Sequence, residues 1–100
     1  MPAGKRRRTH SRDAVLRHFL ARYGACPDAL GEDIVRRVCE RAWSPPVALG
    51  RAIDIVASSL VRHRMTDYEQ LFDVQGLTRE EARRIVEPEV ESIIASWKSH

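Results

Sequence analysis

The fifteen residues from Val47 to Val61, VALGRAIDIVASSLV, contain only two charged side chains, Arg51 and Asp54. No other stretch of the chain limits the fold so tightly. Leu49, Ile53, Val56 and Leu60 follow the helical period, while Ile55 and Val61 point elsewhere, so the segment is apolar around most of its circumference. A helix of that kind needs cover on several sides, which predicts a central helix inside a bundle. Ala48, Gly50, Ala52, Ala57, Ser58 and Ser59 are small enough to let neighbouring helices come close.

The flanking sequence supplies those neighbours. Ser11 can cap a helix with apolar positions Val15, Leu16, Phe19, Leu20 and Tyr23, and Gly24 suits the residue just past its end. Asp28 is the expected cap of a second helix reaching about Ala42, with the stripe Leu30, Ile34, Val35, Val38, Cys39 and Ala42. Ser44 followed by Pro45 and Pro46 reads as the start of the central helix. Thr66 and Glu69 match a capping box opening a short helix to about Val74, which Gly76 ends. Thr78 and Glu81 repeat the pattern and open a last helix with Ala82, Ile85, Val86, Val90, Ile93, Ile94 and Trp97 on its buried side. Pro88 lies within it and removes one backbone donor, so this helix is expected to be bent but single, because the apolar register runs on across the proline.

Strand signals are absent. The expected fold is therefore all-α, a compact five-helix bundle around the central helix, with a short fourth helix and a long proline-kinked last one. Residues 1–10 read as a disordered basic arm and residues 11–100 as a single helical domain.

Composition narrows the setting. No run approaches the roughly 18 apolar residues that a membrane span requires, and no signal-type apolar stretch follows the basic amino terminus, so a cytoplasmic protein without membrane contact is expected. Cys26 and Cys39 are too few for a disulfide framework and are expected to be free thiols. Residues 1–64 hold 13 Lys or Arg against 6 Asp or Glu, a net +7, whereas residues 65–100 hold 4 against 8, a net −4. Such a split favours a polyanionic partner at one end, or two copies docked head to tail.

The residues Arg62, His63, Thr66, Asp67 and Tyr68, followed by Gly76 and by Arg79, Glu80, Glu81, Ala82 and Arg83, resemble a helical family of bacteria and fungi known as domain of unknown function 2293. The resemblance runs from about Phe19 to Trp97 and is densest in the later half, including the ending from Val90 to Trp97. It implies a compact helical domain and supplies neither an activity nor a catalytic residue.

Three classes of function compete. For nucleic-acid association, Lys5, Arg6, Arg7 and Arg8 are either a phosphate-contacting tail or a solubilising terminus, with Arg12, Arg17, Arg62, His63 and Arg64 as further candidate contacts. Arg62, His63 and Arg64 are also explained by the negative end of the central helix. Leu71 to Arg84 has the outline of a helix-turn-helix, with Arg79 and Arg83 on one face, but Glu80, Glu81, Glu87, Glu89 and Glu91 would repel a duplex. Arg36 and Arg37 have acids four residues earlier, Glu32 and Asp33, and only Arg41 lacks one, so the three read as a solvated face in preference to a nucleic-acid surface.

For a protein partner or a homodimer, Trp43, Thr66, Asp67, Tyr68 and Trp97 are the candidate contacts, with core closure the competing role of the tryptophans. For catalysis, His63, Asp67 and Tyr68 form an acid–base grouping without a nucleophile motif, oxyanion loop or metal spacing, and His18 has no second ligand. The reading is a noncatalytic binding domain, with no catalytic residue, metal or cofactor, and with nucleic acid or a nucleoprotein favoured over a protein partner or self-association.

Overall fold

A computed structural model describes residues 10–44 and 46–98. Lys5 to Arg8 and the rest of the expected basic arm up to residue 9 lie outside the described residues. Five helices follow one another: α1 (Arg12–Arg22), α2 (Asp28–Glu40), α3 (Leu49–Met65), α4 (Tyr68–Asp73) and α5 (Arg79–Ala95). Among the described residues there is no strand. The fold is all-α, as the periodicity predicts.

α3 is the central element and packs against each of the other four helices. Ala52, Ile53, Val56, Ala57, Leu60 and Val61 are its buried positions, a pattern that repeats every third or fourth residue and covers one broad face. Val15 and Phe19 of α1, Ile34, Val35 and Val38 of α2, Tyr68 of α4, and Ala82, Val86 and Val90 of α5 join them in a single apolar core. Cover is less complete than the sequence implies: Leu49 and Ile55 are only half-buried, and Ser58 and Ser59 face a groove instead of a neighbouring helix.

Small residues set two close approaches. A Cβ on Gly31 of α2 would come within 3.0 Å of the Phe19 ring, and one on Gly50 of α3 within 3.2 Å of His18 Nε2, so a larger residue at either position would require the α1 side chain to give by a few tenths of an ångström.

Helix boundaries follow the capping chemistry in some places and depart from it in others. Ser11 Oγ accepts the Ala14 N–H at 3.3 Å, and Thr78 and Glu81 form a complete capping box. Gly76 takes the left-handed conformation, φ +75°, the one positive φ among the described residues; Gly24 does not adopt it. α2 begins at Asp28 with Pro27 as its cap, so Asp28 acts through its charge in the first turn rather than as a cap.

α3 begins at Leu49, not after Ser44, and has no side-chain cap. Two features of the sequence delay it. A helix opened by Ser44 would need helical backbone at Pro45, which the following proline disfavours. Trp43 is also drawn into the core, where its indole Nε1–H donates to the Val38 carbonyl at 3.3 Å and ties this segment to the end of α2.

The expected capping box at Thr66 and Glu69 does not form. Thr66 Oγ1 donates to the Arg62 carbonyl at 2.6 Å and accepts the Tyr68 N–H at 3.2 Å, so it closes α3, while Glu69 reaches His63. α5 continues through Pro88 as one helix. Ile85, expected inside, is 59% exposed, because Ala82, Val86 and Val90 supply the buried stripe.

Candidate functional site

Along one side of α3, Arg51, Ile55, Ser58, Ser59 and Arg62 recur at helical spacing and form the floor of a groove of about 510 Å³, which the core residues Val56 and Leu60 also line. Arg37 and Arg41 come from the last turn of α2 and the residue after it, and Arg83 comes from α5. Three elements thus bring five arginines to one depression. A groove arises here because α2 and α5 both pack on α3 and leave the strip between them open.

One carboxylate, Asp54, lines the groove with them, and both of its oxygens are engaged elsewhere. Arg22 holds it with two hydrogen bonds, Nε to Oδ1 at 3.1 Å and a terminal nitrogen to Oδ2 at 2.9 Å. The Tyr23 hydroxyl donates to Oδ1 at 2.5 Å. Burial, reinforced by that bond to a carboxylate, raises the Tyr23 pKa, so the phenol keeps the proton it donates. The constellation locks α1 to α3 and leaves little negative potential on the groove.

The groove arginines differ in how their charge is balanced. Arg37 has Asp33 at 3.6 Å. Arg41, Arg51, Arg62 and Arg83 make no ion pair among the described residues. Arg62 is half-buried; burial, then the neighbouring charge of Arg83, lower its pKa, which marks two guanidiniums close together and one partly stripped of water. The charge of Glu87 acts the other way, and the Arg62 guanidinium lies over the Tyr68 ring, 5.7 Å from its centroid. Arg41 is exposed, with its guanidinium centred 4.0 Å from the Trp43 ring centroid. Where the groove passes Arg62 and Arg83 toward the carboxyl half of α5 it meets Glu87 and Glu91, which close the basic path at that end.

The residues singled out from sequence fall in several places. Arg62 alone among the described candidate basic contacts lines the groove. Arg64 pairs with Asp33 at 2.5 Å and links α3 to α2; this hydrogen bond, more than any other interaction, lowers the Asp33 pKa. His63 is 2.9 Å from Glu69 and edge-on to the Tyr68 ring at 5.0 Å. Arg12 lines a separate pocket with Glu32, Asp33 and Arg36, and the Arg17 Nε–H donates to the Asp13 carbonyl at 3.5 Å.

Trp43, Tyr68 and Trp97 are each at most 5% exposed and belong to the core, Thr66 is occupied in closing α3, and Asp67 is exposed beside it. The two tryptophans thus take the core-closing role. Sequence reading did not find Arg51, and it assigned Arg37 and Arg41 to a solvated face and Arg83 to a disfavoured recognition helix. The spacing of Arg51, Ser58 and Arg62 was the available signal, masked by the apolar character of the stretch around it.

Among the described residues no three His, Cys, Asp or Glu side chains gather as a metal site would require, and no helix is long and apolar enough to cross a membrane. Both cysteines are free; Cys26 is buried, and that burial pushes its thiol pKa up to about 11. A family model described as an uncharacterized conserved protein, DUF2293, matches residues 13–98. No curated protein and no solved structure matches the chain.

Proposed function

The chain belongs to the uncharacterized conserved family DUF2293, and within it we propose a noncatalytic nucleic-acid-binding domain that holds sugar-phosphate backbone in the groove on α3. The observation that carries this reading is the convergence of five arginines from three elements on a groove whose one lining carboxylate is already held by Arg22 and Tyr23. Guanidinium groups suit phosphate because they donate in a planar fork and stay charged. Catalysis has less support: none of His63, Asp67 and Tyr68 lines the groove, Tyr68 is buried in the core, and His63 is paired with Glu69.

The test is a titration of random-sequence duplex and single-stranded DNA and RNA between about 50 and 200 mM salt, where phosphate contacts make affinity fall steeply. Binding should weaken with salt, and Arg51→Glu with Arg83→Glu should weaken it at least about tenfold at the lower salt while the fold is retained. Removing Lys5 to Arg8 separates the contribution of the basic arm. A folded protein that binds none of these probes at low salt, or binds them equally well with the groove reversed, contradicts the proposal.

Self-association is a second reading, with one observation in its favour. Leu16 and Leu20 on α1 are 38% and 53% exposed and flank a small pocket between α1 and α2. A concentration-dependent dimer by light scattering, lost in Leu20→Glu, would support it.

A further inference from the structure

Resting on that reading, we propose that the groove takes a single strand rather than a duplex, with a phosphate between Arg62 and Arg83 and a base stacked on the guanidinium of Arg41. The two groups lie on the same groove, so one short segment of strand can reach both.

The floor is one helix, α3, and the walls are α2 and α5, which pack on either side of it. A flexible strand can lay a phosphate on that floor. A duplex is a stiff rod that meets the walls first and reaches only their rim. Arg62, half-buried on the floor, is therefore available to a single strand and withheld from a duplex.

Exposed rings are the usual platform for single-stranded bases, but Trp43 is 3% exposed and cannot serve directly. Its ring instead carries Arg41, centred 4.0 Å away, with Arg41 itself open to solvent. Guanidinium planes stack on bases as aromatic rings do, and one already resting on an indole gives up less side-chain freedom when it does so. Every base has a face to stack, so this contact discriminates strand form and not sequence. Glu87 and Glu91 end the basic path past Arg62, which confines the strand to the Arg41 to Arg83 side.

The experiment compares three probes on the intact protein: a short DNA strand, the same strand in a duplex, and a strand of equal length made of abasic sites. Wild-type protein should prefer the strand to the duplex by about tenfold or more. Arg41→Lys keeps the charge and loses the plane, so it should lower affinity for the base-bearing strand roughly three- to fivefold and leave the abasic strand unchanged. Arg62→Ala should weaken both strands and spare the duplex. Equal or tighter duplex binding overturns the inference, and so does an Arg41→Lys penalty that is the same with and without bases. Absence of salt-dependent binding to any probe would instead remove the nucleic-acid reading on which the inference rests.

Discussion

Arg62 and Arg64 stand two residues apart at the end of α3, yet they belong to different regions of the molecule. Arg64 turns toward α2 and pairs with Asp33, a residue 31 positions earlier in the chain that Arg36 and Arg37 also contact. Arg62 turns into the groove beside Arg83, half-buried and without an ion pair among the described residues. One arginine spends its charge holding two helices together. The other faces a groove lined by four further arginines. A count of basic residues along the chain cannot separate them, because the carboxylate that decides the matter comes from another helix.

The largest effect tests the support that both regions share. Ile53 is fully buried on the inner face of α3, so Ile53→Asp would bury an unpaired charge at a cost above about 4 kcal/mol and should unfold the domain, seen as loss of the helical circular dichroism signal. A normal melting temperature in that variant would remove α3 as the centre of the fold and the floor of the groove with it.

Asp54 sharpens the comparison from the other direction, since it joins the groove to the ion-paired region. Asp54→Asn weakens the two bonds from Arg22 and the one from Tyr23. With Arg22 and Asp54 each roughly 40% exposed, the expected loss is about 1 kcal/mol after discounting for solvent. Removing the carboxylate that lines the groove beside Arg51 and Arg62 should at the same time tighten nucleic-acid binding, so stability and affinity move in opposite directions. If affinity falls with stability, Asp54 belongs to the binding machinery.

The smallest effect belongs to Arg64. Arg64→Ala should lower the melting temperature slightly at neutral pH and leave binding unchanged. The folded-state pKa of Asp33 is lowered, chiefly by the Arg64 hydrogen bond, so its contribution to stability is present above the unfolded carboxyl's pKa and lost as pH falls through the folded one. Wild-type and variant melting curves should therefore converge in acid. A difference that persists there would assign Arg64 a role apart from this bridge.

Much of the fold was legible in the chain because helix formation here is governed by local pattern. The stripes through Ile34 and Val38, through Ile53 and Val56, and through Val86 and Val90 each place an element and its buried side. Local pattern failed where a tertiary partner competed for the same atoms. Thr66 with Glu69 and Thr78 with Glu81 are spaced identically, yet only the second pair forms a capping box, because the Arg62 carbonyl engages Thr66 and His63 engages Glu69.

The same reason hid the groove. Arg37 and Arg41 look like the solvated face of α2, Arg51 like a lone charge in an apolar run, and Arg83 like part of an acidic helix; only the packing of α2 and α5 on α3 brings them together. Arg62 was identifiable from sequence, but for its place at a helix terminus rather than for the groove it lines.

The account's central claim is that the groove arginines, and not the ion-paired ones, bind phosphate. The direct measurement is the slope of log affinity against log salt for one single-stranded oligonucleotide, taken for the wild type, for Arg62→Ala with Arg83→Ala, and for Arg64→Ala. Each phosphate held on a single strand contributes a slope of about −0.7, so losing the one phosphate shared by Arg62 and Arg83 should make the double variant shallower by about 0.7, and Arg64→Ala should match the wild type. An unchanged slope in the double variant, or an equal loss in Arg64→Ala, would contradict the claim.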